Sequence, residues 1–269
     1  CTSLSTSDIK EKARLYIACK KLEGLSDKTL KNYIGFLSWL DQYFNKPCST
    51  ITTMDLRMFL DYRSKGKMAS TVNGYITYLK NFFTWLQDEE YIISNPARKL
   101  KSTKVPKLIK EAYKSESLEK MRDACDSIRD KALFEVLEST ACRISEVSTI
   151  RLDKINWSEK SIKVYGKGSK ERIVYFSTRA KIYMLKYLET RGIESPYLFV
   201  ASKKPYANLG PRSIQRTLKE IKERSGVEEK VHAHKFRRTQ ATHLLNSGMS
   251  LQGVQKFLGH ESPETTQRY

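Results

Sequence analysis

The chain has 269 residues, of which 39% are hydrophobic and 10% aromatic, which excludes a wholly disordered polypeptide and allows one large domain or two ordinary ones. Lysine and arginine number 49 against 30 acidic residues, and the net charge of +19 favours a polyanionic partner, nucleic acid first. No apolar run nears the roughly 20 residues of a membrane span, no signal peptide is visible, and five cysteines without a Cys-x-x-Cys pair argue against a disulfide framework or a cysteine-rich zinc site. The cysteines (Cys1, Cys19, Cys48, Cys125 and Cys142) read as small buried or incidental residues in a reducing compartment. A start at Cys1 rather than Met leaves open a further N-terminal segment.

The first hundred residues pattern as helices throughout. Residues 6–21 and 53–64 suit short helices. Leu30, Ile34, Leu37, Leu40 and Phe44 recur at helical spacing behind Ser26 and Asp27 as N-cap candidates. Val72, Ile76, Leu79, Phe83 and Leu86 form a second stripe with Ser70 as its cap. The region ends at Asn95-Pro96, because a proline disfavours helix in the residue before it. Residues 99–110 are basic, contain Pro106 and lack periodicity, so they read as a linker between a helical domain at 1–98 and a second domain at 111–269.

The second domain is mixed. Helices are expected near 117–125, 130–139, 212–225, 236–247, 251–257 and from 263 onward. Ile162 and Val164 alternate before Gly166-Lys167-Gly168-Ser169-Lys170, and Ile173, Val174 and Phe176 follow, the pattern of an antiparallel hairpin. Leu198 to Val200 suits another short strand. The expected fold is therefore mainly α with a small antiparallel β-sheet: a helical domain followed by a mixed α+β domain.

Four segments of the second domain carry chemistry. They are Thr140-Ala141-Cys142-Arg143-Ile144-Ser145-Glu146-Val147, the hairpin tip through Arg172, His234-Lys235-Phe236-Arg237-Arg238-Thr239-Gln240-Ala241-Thr242-His243, and Leu258-Gly259-His260 with Tyr269 nine residues beyond. Breaking a phosphodiester without a metal needs a nucleophile, neutralisation of charge on the non-bridging oxygens, and a proton for the leaving oxygen. Tyrosine can form a covalent intermediate. Two arginines can clamp phosphate with permanently charged planar forks. Lysine or histidine can move the proton. This set is present, and no matching cluster of carboxylates for Mg²⁺ accompanies it. His234 and Arg237, three residues apart, share a face if helical.

In order and context the four segments resemble the catalytic boxes of the tyrosine recombinase family, which includes the bacterial Xer proteins and phage and transposon integrases. The resemblance is strong over 140–269 and looser over the helical domain, which is similar to the family's core-binding domain. Arg143 matches the first family arginine, although Ala141 stands where glycine is usual and reads as a tolerable small replacement. Lys167 matches the hairpin lysine, with Lys170 as the alternative. His234 and Arg237 match the His-x-x-Arg box, followed by Arg238 where histidine is frequent. The resemblance implies that Tyr269 attacks the scissile phosphate to form a 3′-phosphotyrosine bond. Arg143 and Arg237 would bind the non-bridging oxygens, Lys167 would protonate the 5′ oxygen, His234 would act as acid or base towards the tyrosine, and His260 would donate to the phosphate. Glu146 and His243 would orient neighbours.

The same resemblance implies a metal-free, cofactor-free and ATP-free site-specific DNA recombinase acting through a Holliday junction. Its partners would be double-stranded recombination sites, bound as a homotetramer on two duplexes or a dimer on one, with no membrane. The expected setting is a prokaryotic or mobile-element cytoplasm, at the nucleoid. A tail beyond Tyr269 that docks on a neighbouring protomer is expected too. DNA-contact candidates are Lys28, Lys31, Lys65, Lys67, Ser70, Thr71, Asn73, Lys80 and Lys104 in the first part, and Lys170, Arg212, Ser213 and Arg216 in the second. A type IB topoisomerase-like nicking and closing enzyme, or a DNA-binding relative without catalysis, are the alternatives.

Overall fold

The computed structural model describes residues 7–105, 111–166 and 171–259. The chain divides into two compact units, Cys1–Lys107 and Leu108–Tyr269.

The first unit is helical: α1 (Ile9–Leu22), α2 (Asp27–Tyr43), α3 (Thr53–Ser64) and α4 (Ala69–Asp88). Ser26 caps α2 by accepting from the Thr29 amide at 3.3 Å, as its sequence position suggests. Thr52 and Asp55 close a reciprocal capping box on α3, and Lys46 sits 2.6 Å from the Asp55 carboxylate. At α4 the expected cap Ser70 lies inside the first turn, and Met68 takes the cap position without a side-chain hydrogen bond. Apart from Ile34, which is 51% exposed, the apolar stripes meet in an aromatic core in which the Tyr16 ring meets Tyr33, Phe82 and Trp85 edge-on, each at 5.4 Å. Leu100 is buried in this same core. Both amide atoms of Asn73 bond the backbone of Thr103 at 2.8 Å. Residues 99–105, read from sequence as the start of the linker, are thus held on the first unit.

The second unit contains α5 (Ser115–Asp123), α6 (Ile128–Thr140), α7 (Ile144–Ser148), β1 (Ile155–Asn156), β2 (Ser161–Tyr165), β3 (Glu171–Tyr175), α8 (Thr178–Thr190), α9 (Pro211–Ser225), α10 (Ala233–Asn246) and α11 (Leu251–Leu258). The strands form one antiparallel sheet in the order β1-β2-β3, with Ile162 opposite Val174 and Val164 opposite Arg172. The hairpin and the helices at 117–125, 130–139, 212–225, 236–247 and 251–257 appear close to their expected bounds. The helix expected from 263 and the hairpin tip at 167–170 fall outside the described residues. Helix α6 is the centre of the unit, with Ala132, Leu133, Phe134, Val136 and Leu137 all buried, and it packs on α8 and α10. Helix α8 was not anticipated from sequence.

Leu198 to Val200 is buried but is not a strand. Arg191 donates its guanidinium to the carbonyls of Ser195, Tyr197 and Leu198, while within the run the Leu198 amide donates to the Ile150 carbonyl at 2.8 Å and the Phe199 carbonyl accepts from the Leu209 amide at 2.9 Å, so its backbone groups go to separate partners rather than to one strand. Isolated bridges, Arg151 to Tyr197 and Val200 to Asn208, are what remain of pairing there.

Candidate active site

Box one begins where α6 ends. Ala141 turns the chain with φ 51° and ψ 25°, the left-handed conformation, and Arg143 follows in the N-cap position of α7. The Glu146 carboxylate accepts from the Arg143 amide at 2.7 Å and from Arg143 Nη1 at 2.9 Å. The Glu146 side chain is 1% exposed and that of Arg143 31%. The carboxylate is therefore a buried support, and the guanidinium keeps an open face. Burial works to raise the Glu146 carboxyl, but the charge and hydrogen bond of Arg172, helped by Arg143, outweigh it and hold the group below the usual carboxylate range.

Box three is the N-terminal half of α10. His232 caps this helix, its Nδ1 accepting from the Lys235 amide at 3.2 Å. His234 is exposed in the first turn, and Arg237, one turn on, is 1% exposed. Arg237 donates from Nη1 to the Ala141 carbonyl at 2.8 Å and from Nη2 to the Leu258 carbonyl. One arginine thus joins the turn before Arg143 to the end of α11, where Gly259 is left-handed at φ 64°. His243 lies six residues further along α10, about 9 Å up the axis and about 120° around it from Arg237, and is exposed. The orienting role expected of Glu146 has a visible geometry; that expected of His243 has none beside Arg237.

Arg172 on β3 adds a contact that none of the four segments shows by itself. It donates from Nη2 to Glu146 at 2.7 Å and from Nη1 to the Phe257 carbonyl at 2.8 Å. A signal was available: Arg172, Val174 and Phe176 alternate on the inward face of the strand, and an inward arginine needs a buried partner. Two guanidiniums, Arg143 and Arg172, share the one carboxylate of Glu146, so this corner is net positive and suits an anion. Lys167, His260 and Tyr269 lie outside the described residues. Among the described residues no group of three or more His, Cys, Asp or Glu could hold a metal ion.

A family model described as "Phage integrase family" matches residues 98–269, and "Phage integrase, N-terminal SAM-like domain" matches 13–93. The chain belongs to the phage integrase family of tyrosine recombinases. Among its relatives, tyrosine recombinase XerA of Pyrococcus furiosus is 31% identical over 98% of this chain and 89% of its own length. Tyrosine recombinase XerC of Oceanobacillus iheyensis is 35% identical over 82% and 76%. The fold agrees with solved structures of a lambda integrase dimer bound to a COC′ core site (TM-score 0.79, 18% identity, 97% of this chain and 76% of that one) and of a XerH site-specific recombinase bound to a palindromic difH substrate (0.77, 22%, 96% and 80%). A lambda integrase tetramer bound to a Holliday junction also matches (0.79, 17%, 95% and 78%).

The recombinase's expected DNA contacts divide by placement. Lys28, Lys31, Lys65, Lys67, Ser70, Thr71 and Lys104 are exposed, and Lys80 is half-buried on α4. Asn73 is different, because both ends of its amide are occupied by Thr103. Arg212 and Arg216 are exposed in the first two turns of α9, and Ser213 is half-buried. Lys170 lies outside the described residues. No helix among the described residues is long and apolar enough to cross a membrane.

Proposed function

We propose that this recombinase cuts and rejoins DNA by attack of Tyr269 on the scissile phosphate, giving a 3′-phosphotyrosine bond and a free 5′-hydroxyl. The observation that carries this is Arg143: a part-exposed guanidinium held from below by a buried, ionised Glu146. Such an arginine presents its remaining donors to phosphate without having to reorganise as charge develops. Arg237 assists from α10, and His234, exposed in the first turn of that helix, moves the proton of the nucleophile. Lys167 protonates the 5′ oxygen, and His260 donates to the phosphate. The covalent bond keeps the energy of the broken phosphodiester, so rejoining to a new strand needs no ATP. The lambda integrase structures that share this fold, a dimer on a core site and a tetramer on a Holliday junction, support the same assembly for this chain on its own double-stranded sites. Cytoplasmic action at the nucleoid follows from that partner.

A nicked suicide substrate, which lets the short fragment bearing the new 5′-hydroxyl diffuse away, tests the chemistry. The full chain is expected to accumulate a denaturation-resistant protein–DNA adduct, and Tyr269→Phe is expected to give none. An undiminished adduct from that variant would remove Tyr269 as nucleophile. Joining of two sites, rather than relaxation of one supercoiled circle alone, separates recombination from topoisomerase-like nicking and closing.

A further inference from the structure

Glu146 has a second cation, and its placement is specific. Arg172 enters from β3, the strand that follows the hairpin tip, and spans three things at once. Its Nη2 bonds Glu146 Oε2 at 2.7 Å, the same oxygen that accepts from the Arg143 amide. Its Nη1 bonds the Phe257 carbonyl at 2.8 Å in the last turn of α11. Its Cδ runs so close under Gly259 that a Cβ there would stand 2.6 Å from it. The Arg172 side chain is 12% exposed, and its Nε is buried without a hydrogen-bond partner among the described residues. A lysine could satisfy one of these acceptors, but not both in a plane, because only the guanidinium is a rigid fork.

The geometry points to Arg172 as a positioning residue for strand cleavage. It locks the Glu146 carboxylate so that Arg143 stays aimed at the phosphate, and it ties the exit of α11, the segment that leads to His260 and Tyr269, to the strand that carries the Lys167 hairpin. Three of the four boxes are linked through this one side chain, and Arg237 links box three to the same α11 turn. Without Arg172, Glu146 would keep Arg143 alone as counter-ion among the described residues. That arginine would then be drawn down onto the carboxylate and away from the anion it serves. The inference rests on the proposed phosphotyrosine chemistry and adds a residue to its support.

The test compares the full chain with Arg172→Lys and Arg172→Ala on two suicide substrates, one with the ordinary scissile phosphodiester and one with a neutral methylphosphonate at that position. Adduct formation by the parent on the phosphodiester establishes the chemistry first, so failure of that reading is seen separately. On the phosphodiester both variants are expected to form adduct about tenfold to hundredfold more slowly, the range for losing a charge-assisted hydrogen bond. On the methylphosphonate, which carries no charge for Arg143 to neutralise, their deficit against the parent is expected to shrink by about tenfold. Parent-like rates from Arg172→Lys on the phosphodiester would overturn the proposal. So would an equal deficit on both substrates, which is what a purely structural arginine would give. Loss of the cooperative thermal transition in both variants would assign Arg172 to the fold alone and would overturn it as well.

Discussion

Ala141 and Gly259 close α6 and α11 with the same left-handed turn, φ 51° and 64°, yet only one of them is glycine. The left-handed conformation costs an L-residue about 1–2 kcal/mol. At Ala141 that strain is offset locally, because its methyl is fully buried with Ala241, Val254 and Leu258. Ala141→Gly would relieve the strain but would lose about 0.8 kcal/mol of methyl burial and about 0.5–1 kcal/mol through the freer unfolded chain. The expected change in urea unfolding free energy is therefore within about 1 kcal/mol of zero. Gly259→Ala meets the same strain with no void to fill, since its Cβ would fall 2.6 Å from an Arg172 side chain held at its far end by two hydrogen bonds. A loss of about 2 kcal/mol or more is expected there. A neutral Gly259→Ala would mean that the α11 exit can shift freely. Size made Ala141 look innocuous in the sequence, whereas the constraint on that position is a dihedral angle, which composition does not display.

At the scale of elements, the capping box of α3 makes a pH prediction. Lys46 and the Thr52 amide and hydroxyl bond Asp55, and the lysine hydrogen bond leads in depressing its carboxyl to about 2. An unfolded aspartate titrates near 3.9. The stabilisation is therefore complete above about pH 4 and is lost as the pH falls towards 2. Asp55 is 29% exposed, so solvent screening reduces the effect from the full linkage value to about 1 kcal/mol. Asp55→Asn is expected to flatten the acid limb of the first unit's unfolding curve between pH 4 and pH 2. An unchanged limb would show that the box is not what titrates.

The elements that sequence made legible share a cause. The stripes of α2 and α4 are strongly apolar and each buries one face, so periodicity reveals them. Helix α8 hides because its inward residues Ala180, Met184 and Tyr187 make a faint stripe. The two-residue β1 exists only through its partner β2, and the buried run at Leu198 divides its backbone bonds among Ile150, Leu209 and the Arg191 side chain rather than forming a ladder. Leu100 looked like part of a linker because a single apolar residue among lysines has no period, and only the tertiary core shows where it goes. Within the site, Arg143 and Glu146 could be paired from spacing. Arg172 could not, since its partners stand 26 and 85 residues away in the chain.

For the whole molecule, the net charge of +19 shapes how it meets its partner. An excess of this size favours duplex DNA of any sequence, and each phosphate neutralised by a lysine or arginine releases counterions. The logarithm of affinity should then fall with the logarithm of salt by about 0.9 per contact. Arg212 and Arg216 are the sharpest candidates to probe in this way. Both are exposed near the start of α9, and the Arg216 pair with Glu220 at 3.8 Å is itself largely exposed, so it holds the guanidinium only weakly. If both arginines contact phosphates, the Arg212→Ala, Arg216→Ala double variant should bind non-specific duplex with a salt slope shallower by about two, while its thermal stability stays close to that of the parent. If one of them reads a guanine edge instead, the slope should change by about one and the preference for the cognate site should fall by about 1–3 kcal/mol. An unchanged slope together with unchanged preference would take α9 out of the interface. The next residues to probe by salt slope would then be exposed lysines of the first unit: Lys28 in the first turn of α2, and Lys65 and Lys67 between α3 and α4.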